Sequence, residues 1–201
     1  SSIFLAKEFD MHIFVVYRWI DPTDNYLRAK DMDVEQKVIP VKSDVRRLPF
    51  PKNYFDAIVA ANSFLYFGTD DRYLPYICQF LKPHGKLGII DSCFSDEIHN
   101  LELIPQLLRE SYQKHWYYVH SLDWWVHHWK KTGLVNIVHS GIIPGSNYLK
   151  EDFINMYEKD PDEKEIVDFL KEDTENFIQT FRLVGEKTSK KIYLEPDEQQ
   201  L

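Results

Sequence analysis

Blocks of apolar residues change length and periodicity along the chain, and they set out an alternation of helices and strands. In SSIFLAKEF, Ile3, Phe4, Leu5 and Ala6 gather on one side of a short helix with Lys7 and Glu8 opposite. MHIFVVY follows, β-branched and aromatic, and reads as a buried strand that stops at Arg18-Trp19. Asp21-Pro22-Thr23-Asp24 offers an Asx or hydroxyl cap near a proline in the first turn, so NYLRAKDMD is predicted to be helical. VIPV at 38–41 is a third element, a strand that Pro40 puts near an edge. The unbroken apolar run Ala57 to Ala61, bounded by Asp56 and Asn62, is what a central parallel strand looks like when both its faces are covered. Thr69-Asp70-Asp71 can then cap a helix whose Leu74, Ile77, Cys78 and Leu81 fall at i, i+3, i+4 and i+7. Pro83-His84-Gly85 ends it, and Lys86 to Asp91 supplies the next strand. Such alternation predicts an α/β fold: a doubly wound, mostly parallel sheet with helices on both faces.

Beyond residue 95 the texture shifts to amphipathic stretches at 97–112, 121–131 and 162–176, with strand-like runs at Leu134 to His139 and Ile178 to Val184. This half is expected to complete the sheet and add a C-terminal helical portion. Asp162 and Glu165 have the spacing of a capping box, with Asp in place of the usual hydroxyl residue. Residues 195–201, EPDEQQL, read as a flexible polar tail, which leaves 1–194 as a single domain.

Composition narrows the classes of function. With 44% apolar and 15% aromatic residues, 201 positions can bury one sizeable core. A formal net charge of -8 provides no general attraction for nucleic acid or an anionic membrane. Cys78 and Cys93 form no CxxC pair, so neither a disulfide framework nor a zinc site is indicated, and a reducing cytoplasmic setting is expected. The longest apolar runs stop well short of the roughly 18 residues a spanning helix needs. SSIFLAKEFD also lacks the basic opening and cleavage site of a signal peptide.

Three segments carry a resemblance. SDVRRLPFPKNYFDAIVAANSFLYFGTDD, FLKPHGKLGIID and SLDWWVHHWKKTGLVNI are similar to the class I S-adenosylmethionine-dependent methyltransferases, and together the likeness covers roughly residues 1–140. It implies a seven-stranded sheet with one antiparallel strand and S-adenosylmethionine as cofactor. The implied substrate is a small molecule, methylated by positioning of the acceptor rather than by a strong base. In that family a glycine loop follows the first strand, whereas the first glycine here is Gly68. SSIFLAKEF resembles the helix after that loop, which would put the first strand and loop before residue 1. Three readings of the gap stand: an incomplete chain, a segment left out of the sequence, or a domain reduced to a binding module.

The resemblance also implies roles for particular residues. The family's acidic residue for the ribose hydroxyls falls at Tyr17, next to Arg18, and a phenol offers one oxygen where a carboxylate offers two. Asp44 would take the adenine amino group and the Val45 amide a ring nitrogen. Read without the family, Asp44 is a loop residue capping the turn before Arg46-Arg47. Asn62, Ser63 and Phe64, at the carboxyl end of the central strand, would hold the methionine part. Alternatively they are a polar strand end that starts a turn. Leu65 stands where related sequences often carry a polar residue. His115, Trp116, Tyr117, Tyr118, His120, Trp124, Trp125, His127, His128 and Trp129 crowd into one segment. No two of its histidines are four apart and HExxH is absent, so no metal site is expected. Trp125 and Trp129 share a helical face suited to packing on a sheet, and Tyr118 and His128 are candidates for orienting a substrate. No catalytic base and no oligomeric state can be assigned.

Overall fold

Asp21 starts its helix as the sequence indicates: its carboxylate accepts the Thr23 amide at 2.8 Å and Pro22 opens the first turn. The computed structural model describes residues 1–109, 116–145 and 147–194, in two compact units, Ser1–Phe50 and Pro51–Leu194. In the first unit, helix α1 (Ser2–Phe9) ends where Asp10 takes a left-handed conformation, with φ 55°. Strand β1 (Ile13–Tyr17), helix α2 (Pro22–Lys30) and strand β2 (Val38–Lys42) follow. The strands pair in parallel from Ile13 opposite Val38 to Tyr17 opposite Lys42. Ala6, Ala29, Val34 and Val38 form the core, packed by Ile3, Ile13 and Val15. Phe4 is 59% exposed, so the buried side of α1 is narrower than its apolar residues suggest.

The second unit contains β3 (Phe55–Ala61), α3 (Tyr73–Cys78), β4 (Leu81–Phe94), α4 (Leu122–Lys130), β5 (Val135–Ile142), α5 (Asn147–Tyr157), α6 (Lys164–Glu172) and β6 (Ile178–Lys187). Its sheet has the order β3-β4-β6-β5. β3 runs parallel to β4, and β6 is antiparallel to both its neighbours, so it is the one reversed strand of this sheet. The α/β class holds, and the expected mostly parallel sheet is here a mixed one of four strands. Trp125 and Trp129 are fully buried, and Trp125 stacks on Phe181 of β6 at 6.3 Å. Gly185 leaves room for this packing, since a Cβ there would lie 3.0 Å from Val135 and 3.3 Å from Trp129. Lys187 closes the far end of β6, donating to the Leu81 carbonyl at 2.6 Å and to Asn53 Oδ1 at 3.0 Å.

Several expectations need correction. The helix containing Leu74 ends at Cys78, and Leu81 pairs with Phe55 as the first residue of β4. Lys82 to Gly85 form an irregularity before Ala57 meets Lys86, with His84 at φ 62°, so Pro83-His84-Gly85 sits inside a strand rather than ending a helix. Val59 is 64% exposed and β3 lies at the end of its sheet's order, so the Ala57–Ala61 run is neither central in this sheet nor covered on both faces. The stretch from 97 forms two 3-10 turns, Leu101–Leu103 and Gln106–Leu108, interrupted by Pro105, with 110–115 outside the described residues. Glu163 is the N-cap of α6 and makes no side-chain cap bond, so Asp162 and Glu165 do not form a capping box. α5 was not anticipated, and the expected tail at 195–201 lies outside the described residues. Among the described residues no helix is long and apolar enough to cross a membrane.

Phe181 touches both the sheet and α4, so Phe181→Ala is expected to destabilise folding by about 3–5 kcal/mol. Equilibrium urea denaturation of wild type and variant reads the difference directly.

Candidate functional site

In the first unit the carboxyl ends of β1 and β2 open onto a cleft of about 460 Å³ lined by Arg18, Lys42, Ser43, Asp44, Arg46 and Arg47. The Ser43 amide donates to the Tyr17 carbonyl at 3.1 Å, which carries the strand pairing one step past β2. Asp44 then turns the chain, accepting the Arg46 amide at 2.9 Å. Arg46 also grips that carboxylate in a fork, Nε to Oδ1 at 3.0 Å and Nη2 to Oδ2 at 2.7 Å. Arg18 approaches Oδ2 at 3.4 Å. The Arg46 hydrogen bonds and the nearby guanidinium charges together bring the Asp44 carboxyl down to about 2. The sequence-predicted Arg18 and Asp44 thus meet, with Val45 between the two cleft residues and Tyr17 42% exposed at the end of β1.

In the second unit the site forms around a residue the sequence did not single out. Asn62 leaves β3 in a left-handed conformation, φ 50°, with its amide still bonded to the Ile90 carbonyl at 2.9 Å. The next amides turn onto Asp91, which is 2% exposed. Ser63 N–H donates to its Oδ2 at 3.1 Å and Leu65 N–H at 3.3 Å, while Ser92 N–H donates to Oδ1 at 3.1 Å. Burial pushes the Asp91 carboxyl up, and the amides of Leu65, Ser92, Ser63 and Phe64 oppose that shift by favouring the anion. A donor-only ring of amides matches an ionised, acceptor-only carboxylate.

Phe64 points its ring into the core, 2% exposed, against Phe67, Tyr73, Trp125 and Trp129 at centroid distances of 5.4 to 5.9 Å. Only its backbone remains for a ligand. The tight return of the loop requires Gly68, because a Cβ there would lie 2.1 Å from the Phe64 ring. His128 Nε2 donates to the Gly68 carbonyl at 3.1 Å, which leaves Nδ1 facing Asp71 at 3.4 Å. Burial, then the Lys131 charge, lowers the His128 pKa. His128 is 3% exposed and stacked on Trp124 at 4.5 Å, so its place is behind the loop.

Tyr118 lies elsewhere in the unit, its ring 4.9 Å from Tyr66 and 5.2 Å from Tyr117. Tyr66 and Tyr117 are 63% and 62% exposed, so this aromatic group is open to solvent. Burial first, then the neighbouring Tyr66, raises the Tyr118 pKa, which keeps the phenol protonated. Glu97 was also not foreseen: it accepts the Ser121 amide at 2.8 Å and pairs with His120 at 2.7 Å, fastening the start of α4. Asp91 and Glu97 act across 24 to 28 residues, a separation that carries no local signal. His115 lies outside the described residues. Among the described residues no group of three His, Cys, Asp or Glu is placed to hold a metal.

Residues 5–89 match the family model described as a methyltransferase domain. The chain is 40% identical over 58 residues to the ubiquinone/menaquinone biosynthesis C-methyltransferase UbiE of Chromobacterium violaceum, covering 28% of this chain and 24% of that protein. It therefore spans about a quarter of the length of the curated relatives it matches. Among solved structures, the cyclase SpnF aligns over 92% of this chain and 68% of its own, with TM-score 0.69 and 16% identity. Geranyl diphosphate C-methyltransferase from Streptomyces coelicolor A3(2), crystallised with Mg2+, geranyl diphosphate and S-adenosyl-L-homocysteine, aligns over 92% of this chain and 67% of its own, with TM-score 0.69 and 15% identity. At these identities the two structures share a fold with this chain.

Two outcomes check this geometry. Asp91→Ala strands three amides and is expected to cost on the order of 2–4 kcal/mol. Hydrogen exchange should then speed up at the Ser63 and Leu65 amides before it does so in the rest of the sheet. For Asp44, the folded pKa of about 2 lies below the usual carboxylate value, so its contribution is present above roughly pH 4 and is lost as pH falls towards 2. Asp44→Asn should cost about 1–2 kcal/mol at pH 7, after solvent screening, and nearly nothing at pH 2. Denaturation midpoints across that range test the sign.

Proposed function

We propose that this chain, which belongs to the class I S-adenosylmethionine-dependent methyltransferase family, takes part in methyl transfer to a small molecule. The observation that carries the reading is the Asn62–Leu65 loop, whose backbone hangs from buried Asp91 at the carboxyl edge of β3 and β4. That edge is where open α/β sheets take their ligands.

Each unit, taken by itself, offers residues that suit a part of the cofactor. Asn62, exposed at a left-handed turn, and the backbone of Ser63 and Phe64 suit the methionine portion. Asp44 is ionised, and a carboxylate oxygen that already accepts from Arg46 keeps a lone pair for an exocyclic amine beside the Val45 amide. The ribose corner fits less well: Tyr17 has one phenolic oxygen and Arg18 only donates, whereas two hydroxyls call for an acceptor. When bound, the cofactor supplies a methyl group on a sulfonium, an electrophile that needs alignment more than it needs a base. Tyr118, protonated, and Tyr66 are assigned to orienting the acceptor, with His128 acting through Gly68 to fix the loop. Two buried thiols, Cys78 and Cys93, each pushed up to about 12 by burial, suit a reducing cytoplasmic compartment.

A second reading has an observation of its own. Asp44 is engaged by two guanidinium groups and Tyr17 lacks a carboxylate, which favours a cofactor-fold module that binds a partner without turnover. Calorimetry with S-adenosyl-L-homocysteine separates the two. Saturable one-to-one binding that Asn62→Ala weakens supports the enzyme, and absence of heat supports the module. With a verified acceptor, Tyr118→Ala is expected to lower kcat/KM by about tenfold and Tyr118→Phe by less than threefold. The pH profile should show no inflection from Tyr118 between pH 6 and 9.

A further inference from the structure

We infer that the cleft at the ends of β1 and β2 binds a phosphorylated nucleoside, with the phosphate held by Lys42 and Arg47. This goes beyond the methyltransferase reading and does not depend on it. Four cationic side chains, Arg18, Lys42, Arg46 and Arg47, and the single carboxylate of Asp44 line a space of about 460 Å³. This concentration of positive charge occurs in a chain whose formal net charge is -8. Asp44 holds Arg18 and Arg46 in place, at 3.4 and 2.7 Å. Among the described residues Lys42 and Arg47 have no ion pair, so their charge is available to a ligand. Ser43 does not compete for them: its hydroxyl donates to the Arg47 carbonyl at 2.9 Å and fixes that turn of backbone. The volume lies in the usual range for a small-molecule site, roughly 300–1,000 Å³.

An aromatic plane beside the cleft distinguishes a nucleotide from a bare anion. Trp19 is 81% exposed, and the Arg18 guanidinium sits over its ring at 4.6 Å. Guanidinium and indole together offer a stacking surface for a base within reach of the cationic cluster.

The test is titration of the chain with adenosine 3′-monophosphate, adenosine and inorganic phosphate, followed by calorimetry. The nucleotide should bind about tenfold more tightly than either adenosine or phosphate, with affinity falling as salt is raised. Lys42→Gln with Arg47→Gln should remove the advantage over adenosine, and Trp19→Ala should weaken adenosine and the nucleotide but leave phosphate unchanged. Both sets are exposed side chains, and unchanged far-UV circular dichroism confirms that the variants fold. Equal binding of adenosine and nucleotide, equal binding of phosphate and nucleotide, or indifference to the double variant would each overturn the inference. Titration with S-adenosyl-L-homocysteine on the same chain keeps the two proposals apart. Its binding without the nucleotide's leaves the methyltransferase reading standing and this inference refuted, and the converse result does the opposite.

Discussion

A carboxylate buried to 2% exposure organises the second unit. Removing Asp91 from water is expensive, and the cost is offset because main-chain amides of the loop after β3 converge on it. Those bonds fix the path of Asn62 to Leu65, and the path decides where Phe64 goes. With its ring driven among Phe67, Tyr73, Trp125 and Trp129, the loop must return through a residue without a Cβ, which is Gly68. The Gly68 carbonyl then accepts a hydrogen bond from His128 Nε2, and His128 brings α4 with it. Trp125 stacks on Phe181 in consequence. Polar anchor, loop, aromatic core and helix form one connected set of contacts, so a change at any of them propagates to the loop that would meet a ligand.

Elements defined by neighbours in the chain were legible in the residues. Asp21-Pro22 marked the start of α2, the β-branched run marked β1, and the i, i+4 tryptophans marked the buried face of α4. What failed was decided by partners far along the chain. Leu81 has a helical spacing with Leu74, Ile77 and Cys78, yet pairing opposite Phe55 draws it into β4, and the four residues after it form a bulge. Asp162 and Glu165 have the right spacing for a capping box, but α6 begins after Glu163, which puts Glu165 within the first turn rather than three residues past the cap. Asp91 read as the end of a strand because nothing in KLGIID shows that amides 26 and 28 residues upstream converge on it. Asn62, Ser63 and Phe64 could be named from their position at a strand end, but not that Phe64 would contribute only its backbone.

The two acidic residues show how environment divides one chemistry into two roles. Asp44 is near the surface, gripped by Arg46 and approached by Arg18, and is held ionised far below its ordinary range. Asp91 has no cation beside it in its hydrogen-bond set and is balanced only by peptide dipoles, so burial raises its pKa. The first is suited to shaping a charged cleft, because its ionisation is insensitive to pH over the physiological range. The second is suited to shaping backbone, because amide donors are directional and cannot rearrange without leaving the carboxylate buried and unpaired.

At the end of β1 the decisive difference is between an acceptor and a donor. Two ribose hydroxyls donate to one carboxylate at little cost, since both sets of lone pairs face them. A guanidinium in that position presents only N–H groups, so a hydroxyl must turn its lone pairs inward and forgo the stronger charge-assisted bond. A phosphate monoester reverses the preference, since its oxygens accept and its charge is opposite to that of Arg18, Lys42 and Arg47. The Asp44 carboxylate does not cancel this, because it is one negative charge against the four cations that line the cleft. With Tyr17 and Arg18 at the end of β1, the corner presents donors and positive charge, an arrangement that would suit an anion better than a polyol edge.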